Sequence, residues 1–131
     1  MLVETPVSLG EMVDKITILE IKTRHIKDAA KLKNVQHELD VLSERLNQLL
    51  DTDGLQTLQP LKGKLGEINQ KLWNIEDDIR DCERQKDFGD TFVQLARAVY
   101  FTNDERAAVK KDINLAFGSE LVEEKSYQNY N

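Results

Sequence analysis

From Leu58 to Cys82 an apolar residue falls at every third or fourth position: Leu58, Leu61, Leu65, Ile68, Leu72, Ile75, Ile79 and Cys82. Steps that alternate between three and four form the seam of a helix lying along another helix, as in a coiled coil. A second seam precedes it at Leu32, Val35, Leu39, Leu42, Leu46 and Leu49. The stretch between, Asp51-Thr52-Asp53-Gly54, has the composition of a turn. Two long seams joined by a turn predict an antiparallel helical hairpin, spanning residues 31–50 and 58–86, and an all-α fold.

The composition fits that reading. A chain of 131 residues with two prolines, six glycines and 32% charged residues suits one helical domain with solvated outer faces. The domain is expected to span 1–131, with a polar tail over 119–131. No run of about 18 apolar residues occurs, so no membrane segment is expected. Glu4, Glu11 and Asp14 interrupt the first twenty residues, which argues against a signal peptide. One cysteine cannot form an intrachain disulfide, and the expected compartment is a reducing cytoplasm.

A net charge of -6 excludes general nucleic-acid binding, which needs a basic footprint. The charge is unevenly placed, however. Residues 22–33 carry Lys22, Arg24, Lys27, Lys31 and Lys33 against Asp28 alone. Residues 76–90 carry Glu76, Asp77, Asp78, Asp81, Glu83, Asp87 and Asp90 against Arg80, Arg84 and Lys86. These patches are either solvated faces or surfaces that meet each other, within a chain or across a dimer.

Ser8-Leu9-Gly10-Glu11 is a capping box: Ser8 can accept from the Glu11 amide and the Glu11 side chain can return to the Ser8 amide. It opens a helix expected from Leu9 to Lys27, apolar over more than half its girth. The seam then slips phase, which predicts a tight turn capped by Asp28; a slip within one bent helix is the alternative. The third helix starts at Thr57, with Pro60 in its first turn, or past Gly63 and Gly66. Asp90 or Thr91 caps a short fourth helix. Thr102-Asn103-Asp104-Glu105 is a second capping box and predicts a separate fifth helix, closed by Gly118. The architecture expected is thus the long hairpin with an N-terminal helix and two short C-terminal helices packed on it.

Familiar catalytic signatures are absent. His25 and His37 stand in no metal-ligand spacing, and Gly63-Lys64-Leu65 is no phosphate loop. Asp87-Phe88-Gly89 has none of the companions that give this triplet meaning in kinases. Asp77 and Asp81 lie one turn apart and are the weak candidates for a hard cation, but Arg80 and Arg84 stand ready to pair them. No metal and no cofactor are therefore expected. Cys82 and Trp73 read as packing residues.

The most site-like stretch is 84–114. Helix N-termini with Arg and Lys can bind a carboxylate or phosphate. Arg97, Asn103, Arg106 and Lys110 are the best donors for an anion, and Tyr100 can stack on a ring. With a break at Thr102 these residues would meet only through tertiary packing.

Three stretches carry a resemblance. Residues 6–22 (Pro6-Val7-Ser8-Leu9-Gly10-Glu11-Met12 through Thr17-Ile18-Leu19-Glu20-Ile21-Lys22), Lys86-Asp87-Phe88-Gly89-Asp90 with Tyr100-Phe101-Thr102-Asn103-Asp104-Glu105-Arg106, and Gly118-Ser119-Glu120-Leu121-Val122-Glu123-Glu124-Lys125-Ser126-Tyr127 resemble an uncharacterised bacterial family of similar length. The resemblance spans nearly the whole chain and assigns no residue a role. It implies an association with glycosyltransferase and surface-polysaccharide genes.

The principal functional expectation is a non-enzymatic helical interaction or assembly module. It rests on long seams, segregated charge and the lack of a catalytic constellation. The long helix exceeds what shorter helices can cover, so a homodimer is expected, and a further protein partner is compatible with it. The alternative is a small-ligand protein, or an enzyme acting on a phosphorylated or nucleotide-linked sugar, through segment 84–114.

Overall fold

The computed structural model describes residues 1–130 and consists of four helices, α1 (Leu9–His25), α2 (Ala29–Leu49), α3 (Thr52–Arg84) and α4 (Asp90–Ala116). Among the described residues there is no strand, so the all-α expectation holds. Ser8 caps α1, its Oγ accepting from the Glu11 amide at 3.1 Å. The other half of the expected box is not made, because the Glu11 carboxylate turns to Lys110 Nζ at 2.6 Å. Asp28 accepts from the Lys31 amide at 2.9 Å and opens α2, so the phase slip is a turn between two helices.

α3 begins earlier than either expected start. Asp51 accepts from the Gly54 amide at 2.7 Å and caps a helix that runs from Thr52. Pro60 consequently lies inside the helix, beyond the first turn. A proline there costs about 3 kcal/mol. The helix survives because Leu55, Leu58 and Leu61 on this same stretch pack into the core. At 33 residues α3 is about 50 Å long.

The expectation of two short C-terminal helices is corrected. α4 is continuous through Thr102, which is 1% exposed in its middle. A capping box ends a helix only where the backbone turns, and here the packing of α4 along α3, the most extensive helix pair, keeps it continuous. Gly118 does close the helix, at φ 61°, with the Ser119 amide donating to the Asn114 carbonyl at 2.8 Å. This is a Schellman closure.

The hairpin of residues 31–50 with 58–86 is not the main helix pairing. α2 has its close partner in α1, and α1 also packs on α3 and α4. The wide apolar girth of α1 makes it the shared element, with Met12, Val13, Ile16, Leu19 and Ile21 buried. The seam of α2 meets α1 over most of its length, and of its residues Leu46 alone is buried. The main core draws on α1, the end of α2, the first part of α3 and the last part of α4, and takes no residue between Leu72 and Val109. The distal parts of α3 and α4 thus form a two-helix arm. Among the described residues, every side-chain hydrogen bond, ion pair and ring contact made by residues 81–101 stays inside that segment or goes to Tyr130.

Candidate functional site

The polar centre of the molecule lies where α1 crosses α3 and α4. Asp14, 1% exposed, sits among apolar neighbours on α1. Burying a carboxylate is costly unless it is paired and hydrogen-bonded. Here Arg106 answers it with two donors: Nε gives to Oδ1 at 2.9 Å and Nη2 gives to Oδ2. Asn69 Nδ2 donates to Asp14 Oδ1 and to Thr17 Oγ1, both at 2.8 Å. Arg106 Nη1 reaches Asn103 Oδ1 at 3.5 Å. The hydrogen bond to Asp14 raises the pKa of Arg106 against the effect of burial.

One turn along, Lys110 is held between two carboxylates, Glu11 at 2.6 Å and Glu123 of the C-terminal tail at 2.8 Å. Burial opposes its charge, but the hydrogen bonds to Glu11 and Glu123 outweigh it and hold the ammonium above its ordinary pKa. The same bond from Lys110 holds Glu123 below the usual carboxylate range. Beside it the Gly10 amide donates to Asn114 Oδ1 at 2.6 Å. A Cβ at Gly10 would run into the Lys110 carbonyl oxygen and stand 2.9 Å from Asn114 Oδ1. Only glycine lets α1 and α4 approach this closely.

The four expected anion donors and the stacking Tyr100 do not converge as one set. Along a continuous helix Arg97 and Arg106 project about half a turn apart. Asn103, Arg106 and Lys110 face α1 and its neighbours, and both charged groups are engaged in ion pairs. Arg97 is exposed, bonded to Gln94 at 3.4 Å with its guanidinium 5.9 Å from the Phe101 ring centre. Tyr100 packs at 5.4 Å on Tyr130, whose hydroxyl donates to Asp104 Oδ2 at 2.6 Å. Asp81 pairs with Arg84 at 2.9 Å, and Asp77 borders a groove. Among the described residues no three His, Cys, Asp or Glu side chains are grouped so as to hold a metal. Cys82 is buried in α3, and burial followed by the carboxylates of Asp87, Asp78 and Asp81 pushes its thiol pKa up.

Two open cavities border these residues. A groove of 490 Å³ lies between α1, α3 and α4, lined by Ile18, Ile21, Trp73, Asp77, Arg80 and Arg106 among others. Trp73 stacks on His25 with ring centres 5.0 Å apart, which leaves one indole face occupied. A second cavity, of 870 Å³, lies between α4 and the tail, bounded by Tyr100, Asn103, Asp104, Lys125, Tyr127 and Tyr130.

Sequence reasoning missed Asp14, Asn69, Asn114 and Gly10. The signal was a polar residue inside or beside each apolar stripe: Asp14 after Val13, Asn69 after Ile68 and Asn114 after Ile113. The two remaining helix-face ion pairs to α1, Lys15–Glu38 at 2.9 Å and Lys62–Glu20 at 2.8 Å, are surface pairs that add little.

No curated protein and no solved structure matches the chain. The match that exists carries no assigned function, so no residue role passes through it. Over residues 1–130 the chain matches, and belongs to, the family of unknown function DUF6165.

Proposed function

We propose that this chain is a non-enzymatic helical assembly module that acts as a homodimer in the cytoplasm and presents its helices to a further protein partner. The observation that carries the reading is the seam of α2, which is covered from one side only, with Leu39 and Leu42 resting on the core. Leu32, Val35, Leu39 and Leu42 are only half-buried, Val41 is 37% exposed and Leu49 50% exposed. A helix that keeps a regular apolar seam and meets one neighbour has a face left for a second. The arm adds Phe88 at 52% and Val93 at 46% exposure. The acid–base groups, in contrast, are spent on one another at the α1–α4 contact, as expected of a scaffold. The sequence resemblance implies a bacterial origin and a neighbourhood of glycosyltransferase and surface-polysaccharide genes, and the partner is proposed to come from that setting.

The second reading, a ligand site for a phosphorylated or nucleotide-linked sugar, draws its support from the groove beside Trp73 and Arg106. A thermal-melt series separates the two. An assembly module melts higher as chain concentration rises, because association binds only the folded state. A ligand-binding protein instead responds to nucleotide sugars or divalent metals, by about 2.7 kcal/mol at 100 times Kd. A melting temperature independent of concentration, with a saturable shift from one such compound, would reverse the preference.

A further inference from the structure

The two charge patches are not partners within one chain. Among the described residues no ion pair joins 22–33 to 76–90. In the arm every base in 76–90 is paired locally: Arg80 with Glu76, Arg84 with Asp81 and Lys86 with Glu83. The acids left over are Asp77, Asp78, Asp87 and Asp90. In the bend between α1 and α2, which we call the elbow, Lys22, Lys27, Lys31 and Lys33 form no ion pair with any of the described residues. Arg24 there bonds only to the neutral Gln70, at 3.4 Å.

The elbow also sits at the root of the arm. His25 stacks on Trp73 and approaches Gln70 Nε2 at 3.3 Å, while the acidic run starts at Glu76 and leads away toward the tip. Root and tip of α3, Trp73 and Arg84, are about 17 Å apart along the helix. The tip is apolar as well as acidic, with Phe88 edge-on to Phe92 at 5.3 Å and Val93 exposed. The elbow end of α2 is apolar as well as basic, with Leu32 and Val35 half-buried. Two surfaces that match in both charge and apolarity, at opposite ends of one arm, are what a twofold interface requires.

Building on the assembly reading above, we infer that two copies pair with their α3–α4 arms antiparallel, so that the acidic tip of each arm lies on the basic elbow of the other. The twofold axis crosses the middle of the paired arms. Each contact occurs twice, and the arrangement closes at two copies. The arm, which is a bare helix pair in one chain, becomes half of a four-helix layer.

Charge exchange tests this. One variant carries Lys27→Glu, Lys31→Glu and Lys33→Glu; the other carries Asp87→Lys and Asp90→Lys, the acids at the tip that no ion pair engages. Sedimentation velocity should show each variant alone dimerising at least tenfold more weakly than the native chain. An equimolar mixture should recover dimer, because both contacts then join opposite charges. If the native chain dimerises and both variants do so equally well, the arm-to-elbow contact is wrong while the assembly reading stands. A native chain that never dimerises removes the homodimer and this contact together. Should a variant lose its helical circular dichroism, the salt dependence of the native dimer gives the same test. The inferred interface loosens at least tenfold from low to high salt, and an unchanged Kd overturns it.

Discussion

Asp14 and Arg106, 92 residues apart, form a two-pronged ion pair in which both carboxylate oxygens accept from one guanidinium. It ties α1 to α4 through a group that is 1% exposed. Removing one member of a buried pair costs about 3–5 kcal/mol, because the other charge is left without an answer. Arg106→Ala should therefore lower the unfolding free energy by about that much in urea, whereas Arg97→Ala, on the surface, should change it by less than about 0.5 kcal/mol. The double variant Asp14→Leu/Arg106→Met should regain most of the loss. Equal effects of the two arginine replacements would show that Asp14 does not depend on Arg106.

Glycines on the same fold should respond with opposite sign to alanine. At Gly10 a methyl group meets the Lys110 carbonyl, so Gly10→Ala should destabilise by about 1–3 kcal/mol through overpacking. At Gly63 and Gly66 a methyl group meets nothing within 4 Å. Each replacement there should stabilise by up to about 1 kcal/mol from helix propensity alone. Chemical denaturation of the three variants reads both signs, and a gain at Gly10 would mean that α1 and α4 are not in close contact there.

Lys86 ends α3 in the left-handed region, at φ 56°, with the Asp87 amide donating to the Cys82 carbonyl at 2.9 Å. An L-residue pays about 1–2 kcal/mol for that conformation. Glycine avoids it and loses about 0.4–1 kcal/mol of that through its freer unfolded chain. Lys86→Gly should raise stability by about 0.5–1 kcal/mol and the melting temperature with it. An unchanged or lower melting temperature would place the turn elsewhere.

How much of this was legible in the sequence depends on the kind of signal. Apolar periodicity located α1, α2 and most of α3, and Ser8, Asp28 and Gly118 marked real boundaries because caps act locally. The Thr102 box misled because it is equally local, while the helix there is held by contacts with α3. Pairing went astray for a related reason: a seam says that a helix has a neighbour and not which one. The α2 seam chose α1. Arg106 and Lys110 were found as charged residues, but their partners Asp14, Glu11 and Glu123 lie far away in sequence. Only a folded chain brings them together.

The tail should undock with acid. Glu123 is held below the ordinary glutamate pKa by its hydrogen bond from Lys110. A lowered pKa contributes stability that is present above the unfolded-state value and lost as pH falls through the folded one. Lys110 has the opposite sign: its raised pKa keeps its contribution up to the ordinary lysine range, lost only as pH rises through the higher folded value. Docking should therefore hold across neutral pH and fail below the glutamate range. The ring resonances of Tyr130, packed on Tyr100 and Phe101, report it by NMR. Glu123→Gln should loosen the tail at neutral pH and reduce its response to acid.

Assembly is the claim on which the account turns, and sedimentation equilibrium of the native chain at micromolar concentration weighs it directly. The account predicts the mass of two 15.1 kDa chains at low salt, shifting toward one as salt is raised. A mass of a single chain at every concentration and salt would contradict it.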